Sequence, residues 1–215
     1  MINNIARLVN DIQPKKFVNI SSACIYPKTA TNQISENKIG GTDFHSSIQY
    51  SAMTKNWLLQ VTEKLNVPWE YLILSNVYGP GEHLSFDRSH FIGSLVNKIN
   101  NSTDILDMLG DGSSVRDFIY ITDTAEAICR YCELETATNS VSNISTGHGS
   151  KINEIVEQLI NISQRNLTVN WGDPSDNGVL YKVLDNRKMQ QDINYRPQTE
   201  LVEGLTAMWN WIQST

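Results

Sequence analysis

Ser21-Ser22-Ala23-Cys24-Ile25-Tyr26-Pro27 ends a strand-like run, and Tyr50-Ser51-Ala52-Met53-Thr54-Lys55 follows it downstream. Together they nearly reproduce a Ser, Tyr, Lys set for acid–base catalysis. Each residue type suits a part in it: a serine hydroxyl is small and both donates and accepts, and a compact lysine ammonium favours a neighbouring phenolate. Such groups act only if strands and helices bring them to one pocket.

The elements that would do so alternate along the chain. Ile2, Ile5, Leu8, Val9 and Ile12 repeat at helical spacing before the stop at Pro14, which predicts an opening helix. Phe17 to Ile20 reads as a short buried strand. Residues from about Ser51 to Leu65 read as a helix built on Met53, Trp57, Leu58 and Val61, and Trp69 to Leu74 as the next strand, broken at Gly79-Pro80-Gly81. That rhythm is the one of parallel crossovers and predicts an α/β fold. Further on come a helix from about His90 to Ile99, a strand around Ile105 to Leu109, a turn at Gly110-Asp111-Gly112 and a strand at Phe118 to Ile121. A helix capped near Thr122-Asp123 follows, with later helices near Ile152 to Ile162 and Leu201 to Ile212.

A chain of 215 residues with 40% hydrophobic residues can bury a substantial core without staples. Its net charge of -6, with no run of Lys or Arg, supplies no footprint for nucleic acid or an anionic membrane. No segment is apolar enough for a signal peptide or a membrane span. Three cysteines, an odd and sparse number, suit a reducing compartment; the expectation is a cytoplasmic protein.

The ordered set Ser-Ser-x-x-Ile-Tyr, the Tyr/Lys helix start, Asn76-Val77-Tyr78-Gly79-Pro80, Gly110-Asp111-Gly112 and Arg116-Asp117-Phe118 resembles the extended short-chain dehydrogenase/reductase family of sugar-nucleotide epimerases and dehydratases. Ser22, Cys24, the Ser89-His90 pair and Lys182 are most similar to a branch in which a cysteine and a histidine act in epimerisation. The resemblance implies the C-terminal part of a Rossmann-type parallel sheet with a small α/β substrate-binding subdomain. Residues 1–80 would belong to the dinucleotide-binding side and 81–215 mainly to the substrate side, with a segment of about 115–135 returning to the former. It also implies NAD or NADP as cofactor, a nucleotide-sugar substrate, and either a homodimer or a partner chain.

No G-x-G-x-x-G or G-x-x-G-x-x-G occurs in the chain, although the family holds its dinucleotide on such a turn. The chain opens at the helix before the serine-bearing strand, so the first half of the Rossmann domain is expected to be missing. A gene fragment, a mis-assigned start, or a partner that supplies that half would each produce this.

Residue by residue, the resemblance implies catalysis by Ser22, Tyr50 and Lys55, with Cys24 and His90 as epimerisation groups. It implies cofactor contacts from Ser21, Lys55 and Asn76, and substrate contacts from Asn76, Lys98, Arg116 and Lys182. The family's Tyr and Lys stand at i and i+4, nearly one above the other on a helix. Here Tyr50 and Lys55 are one residue further apart and Ser51 holds the tyrosine position. At about 100° per residue the phenol swings round the helix, so either Tyr50 reaches the site from the helix start or the site is impaired.

Each residue also has a plainer reading: a serine near a turn, a small buried thiol at Cys24, a helix-start histidine at His90, solvated lysines at Lys55 and Lys182. Arg116, between a glycine turn and a strand, suits a diphosphate because a planar guanidinium binds such oxygens bidentately. Cys129 and Cys132 form C-x-x-C mid-helix without a second ligand pair; packing is the expectation, and no metal is expected. Two functions follow, an NAD(P)-dependent sugar-nucleotide epimerase/reductase or dehydratase, and a catalytically impaired relative that retains binding or a scaffold role.

Overall fold

The computed structural model describes residues 2–30, 33–84 and 89–215. In chain order, helix Ile2–Ile12 (α1) leads to strand Phe17–Ser22 (β1), and the short strand Gln33–Ile34 (β2) precedes helix Gln49–Thr62 (α2). Strands Trp69–Leu74 (β3) and Asn76–Tyr78 (β4) come next, then helix Phe91–Asn101 (α3) and strand Ile105–Met108 (β5). Val115–Arg116 (β6) and Phe118–Tyr120 (β7) feed helix Ile121–Glu133 (α4), followed by strands Ser140–Ile144 (β8) and Ser150–Lys151 (β9) and helix Ile152–Ser163 (α5). Thr168–Trp171 (β10), Tyr181–Leu184 (β11), Arg187–Ile193 (α6) and Leu201–Gln213 (α7) complete the chain.

Strand β3 is buried from Trp69 to Ile73, as a run of apolar residues covered on both faces must be. It is the centre of a parallel sheet, β1-β3-β8, with Ser22 beside Leu74 and Leu74 beside Ile144. Parallel neighbours require crossovers, which α2 and α4 supply. At Ser75 the chain leaves this sheet, and β4 pairs in parallel with β7, Asn76 opposite Phe118. The C-terminal ends of β1 and β3 therefore open onto the region where β6 and β11 also pair in parallel. This is the α/β Rossmann-type architecture expected from the alternating pattern.

A second core forms where α3, α5 and α7 close over β5, around Ile92, Leu95, Ile99, Leu106, Leu159 and Met208. Each such fully buried side chain contributes about 1.5–3 kcal/mol. The cores also hold polar groups. Asn143 on β8 donates to the Ile34 and Asp185 carbonyls and accepts from the Tyr26 hydroxyl at 2.6 Å. The buried Asp117 carboxylate accepts from Thr146, Gly147 and Leu184 and so clamps β8's exit to β11.

The structure corrects several sequence expectations. Helix α4 begins at Ile121 with Tyr120 as its N-cap, not at Thr122-Asp123. The Asp123 carboxylate is taken instead by the Tyr195 hydroxyl and the Gln198 and Thr199 amides. Met53 and Trp57 do not build a core face of α2, since both are exposed while Ala52, Leu59 and Thr62 are buried. Cys129 and Cys132 are exposed as well, so packing does not account for them. Strands β8, β10 and β11 and helix α6 were not apparent in the sequence: β8 and β10 carry too much Ser, Asn and Thr to read as buried strands. No helix among the described residues is long and apolar enough to cross a membrane.

Candidate active site

A cavity of about 830 Å³ lies at the C-terminal ends of β1 and β3, where open α/β sheets bind ligands. Ser21, Ser22 and Cys24 line it from β1 and the single turn of 3-10 helix after it. Ser22 caps that turn with its side chain, so its hydroxyl is held at the strand end. Ser75 and Asn76 enter from the β3–β4 junction, and Asn76 is fixed by donating to the Asp117 carbonyl at 2.7 Å. The following turn admits only glycine at position 79, because a Cβ there would come within 2.2 Å of the Ile121 side chain.

His90 lines the far side of the cavity as the N-cap of α3. Its amide donates to Glu82 Oε1 at 2.8 Å, and burial raises the Glu82 carboxyl above its ordinary value. Glu82, Ser75 and His45 all line the cavity, and sequence reasoning missed them. Glu82 follows Gly79-Pro80-Gly81 directly, which is the signal that could have found it.

Two cations complete the wall. Parallel pairing of β6 with β11 sets Lys182 beside Arg116, and both line the cavity. Arg116 is held by the Val115 and Asn177 carbonyls, and no ion pair to either cation occurs among the described residues. Burial is the main cause that lowers Lys182 from its ordinary 10.5 to about 8; Cys24 pulls it back up and Arg116 pushes it down. Two adjacent, partly desolvated cations with no carboxylate paired to them among the described residues have the charge and the donors that a doubly charged anion requires.

The structure thus gathers Ser21, Ser22, Cys24, Asn76, His90, Arg116 and Lys182 around one cavity, and places Tyr50, Lys55 and Lys98 outside its lining. Lys98 donates to the Asp107 carbonyl. Tyr50, in the first turn of α2, is 83% exposed. Ser51, in the tyrosine's expected register, meets Cys24 instead, Oγ to Sγ at 3.5 Å. Tyr78 reaches the cavity, but its hydroxyl donates to the Leu201 carbonyl and burial raises it further above an ordinary phenol.

A model of the NAD dependent epimerase/dehydratase family matches residues 1–145. The chain belongs to that family. Among curated relatives, a probable GDP-L-fucose synthase 1 of Oryza sativa subsp. japonica is 24% identical over 206 residues, covering 92% of this chain and 62% of the relative. The UDP-glucose 4-epimerase of Caenorhabditis elegans is 25% identical over 237 residues, covering 97% and 67%. The chain thus spans less than two thirds of the length of the GDP-L-fucose synthases it matches. Among solved structures, a GDP-D-glycero-L-gluco-heptose synthase of Campylobacter jejuni, determined in the presence of NADPH, superposes with a TM-score of 0.87 at 18% identity. It is matched over 99% of this chain and 74% of its own. The UDP-glucose 4-epimerase of Thermotoga maritima with UDP-glucose gives 0.84 at 20% identity, with 99% and 68% covered. These superpositions establish the fold.

Proposed function

We propose that this family member supplies the substrate-binding and acid–base part of an NAD(P)-dependent sugar-nucleotide epimerase, reductase or dehydratase. The observation that carries this reading is the single cavity joining Ser22, Cys24 and His90 to the Arg116–Lys182 pair. Arg116 and Lys182 take the diphosphate, which leaves the sugar to extend towards β1. Ser22 hydrogen-bonds a sugar oxygen there. Cys24 and His90 serve as acid–base groups on the two sides, one removing a proton beside a carbonyl carbon and the other returning one to the opposite face. In this reading residues 1–80, with the segment of about 115–135, form the cofactor side and 81–215 mainly the substrate side.

For the nicotinamide cofactor of the family, NAD or NADP, the residues present fit one end. Ser21 and Ser75 are buried at the strand ends that line the cavity, and the Ser75 hydroxyl has no partner among the described residues. They, with Asn76, would hold the nicotinamide end, which supplies hydride transfer at a sugar carbon when bound. The glycine turn that would hold the pyrophosphate does not occur in the chain.

A homodimer is the oligomeric state this reading favours. Ile5, Leu8 and Ile12 on α1 and Tyr50, Met53 and Trp57 on α2 are all exposed, each set at i, i+3 and i+7 and so along one helix face. The two helices pack on each other. A second copy covering both faces would take these six side chains out of water together, as the apolar centre of an interface does. The three cysteines, all free, are consistent with a cytoplasmic setting.

The test is proton exchange. Incubated in D2O with a 4-keto sugar nucleotide, the chain should wash deuterium into the carbons next to the carbonyl, and Cys24→Ser or His90→Asn should stop it. A second reading, a binding protein without turnover, is favoured by the exposed Tyr50 and by Ser51 in its register. Tight sugar-nucleotide binding with no exchange would select it.

A further inference from the structure

Arg116 and Asn76 line a second, smaller cavity of about 260 Å³ as well as the large one. Its walls include Phe91, Phe118, Leu109 and Ile152, and Asp176 and Asn177 stand at its polar side. The volume suits one planar ring system rather than a whole sugar nucleotide. Phe91 and Phe118 pack on each other, ring centroids 6.0 Å apart and planes tilted by 38°, and give the cavity an aromatic wall of the kind a nucleobase packs against.

The segment that carries Asp176 is fixed against Arg116. Asn177 accepts from the Asp111 amide and donates to the Asp111 carboxylate and the Ser113 hydroxyl. Its carbonyl accepts from Ser114 and from the Arg116 guanidinium. Gly110, at φ +71°, permits this contact, since a Cβ there would come within 2.2 Å of Asn177 Oδ1. All of the Asn177 side chain is thereby used within the protein. The Asp176 carboxylate, exposed and with no hydrogen bond to a described residue, is the charged group left to meet a ligand.

We propose that the smaller cavity receives the nucleobase, and that Asp176 makes guanine the preferred base. The proposal rests on the reading that Arg116 binds a nucleoside diphosphate, because a phosphate held there directs the sugar to one cavity and the nucleoside to the other. A carboxylate accepts bidentately from two neighbouring donors, and guanine presents N1–H and the N2 amino group side by side. Uracil and thymine offer one N–H flanked by carbonyl oxygens, which the carboxylate repels. Adenine offers one donor beside an acceptor. Relatives of this chain carry names that include GDP, UDP and dTDP sugars, so the family alone leaves the base open.

Calorimetric titration of the full chain with GDP, IDP and UDP tests this. GDP should bind at least tenfold more tightly than UDP, with IDP, which lacks the N2 amino group, between them. Asp176→Asn should erase the advantage of GDP over UDP, and the exposure of Asp176 makes this variant safe for folding. Arg116→Met should weaken all three. Equal binding of GDP and UDP, or a GDP preference that survives Asp176→Asn while Arg116→Met still weakens binding, would overturn the base assignment alone. Absence of binding, or binding indifferent to Arg116→Met, would overturn the diphosphate reading with it.

Discussion

Ser51 Oγ lies 3.5 Å from Cys24 Sγ, while the phenol of Tyr50, one residue earlier, stands in solvent. An α-helix turns about 100° per residue, so the residue that faces the β1 turn cannot also be its neighbour. The register of α2 thereby sets a hydroxyl beside Cys24 where the family pattern has a phenol. Tyr50→Phe should leave sugar-nucleotide binding unchanged and stability within about 0.5 kcal/mol, as read by calorimetry and thermal melts. Ser51→Tyr should restore the Tyr/Lys spacing and raise deuterium exchange into a ketosugar. No gain in exchange, with the fold intact, would count against the register argument.

Lys182 carries a pH signature. Its folded value of about 8 lies below the ordinary 10.5 because burial disfavours the ammonium. Between those values the unfolded chain binds more protons, so this group makes stability rise with pH across that window. Anion affinity runs the other way: a diphosphate needs the ammonium, so its binding should weaken as pH rises through 8. Titrations at pH 7 and 9 in buffers of different ionisation heat should show affinity falling and net proton uptake on binding appearing at the higher pH. Lys182→Met should stabilise the chain at pH 7 by on the order of 2 kcal/mol and weaken GDP binding about tenfold. A variant that loses stability instead would show that the lysine is not held desolvated.

Asp117 locks the frame under the two cations. Its carboxylate accepts from the amides of Thr146, Gly147 and Leu184 and from the Thr146 hydroxyl at 2.7 Å. Asp117→Ala orphans several buried donors and should cost about 3 kcal/mol or more, with a lower denaturant midpoint. Anion binding should weaken in parallel, since Leu184 and Lys182 share β11. A change under 1 kcal/mol would mean water replaces the carboxylate.

The apolar faces of α1 and α2 predict assembly. Leu8 is 55% and Trp57 48% exposed, more than packed helix faces leave open. Leu8→Lys with Trp57→Lys should turn a dimer into a monomer in analytical ultracentrifugation without lowering the secondary-structure signal. A wild-type chain that sediments as a monomer at micromolar concentration would refute the dimer.

Periodicity alone determined much of this protein. The spacing of Ile2 to Ile12, the apolar run of Trp69 to Leu74 and the punctuation at Gly79-Pro80-Gly81 placed α1, β3 and the turn after β4, because local patterns decide local structure. The motif order likewise marked Ser22, Cys24, Asn76, His90, Arg116 and Lys182, which the fold brings to one cavity. What the pattern could not decide was which face of a helix meets a partner. Met53 and Trp57 read as core but are exposed, because which stripe of α2 is covered depends on what packs there: α2 lies on β1, its turn and β3, and the stripe holding Ala52 and Leu59 is the buried one. Asp123 read as a cap and instead binds residues far along the chain. Strand β8, with Ser142 and Asn143 fully buried, was invisible for the same reason: its polar side chains are satisfied only by groups that tertiary folding delivers, such as the Tyr26 hydroxyl and the Asp185 carbonyl. The displacement of Tyr50 was legible as a spacing, but its consequence, a thiol facing Ser51 rather than a phenol, was decided by the packing of α2 against the turn after β1.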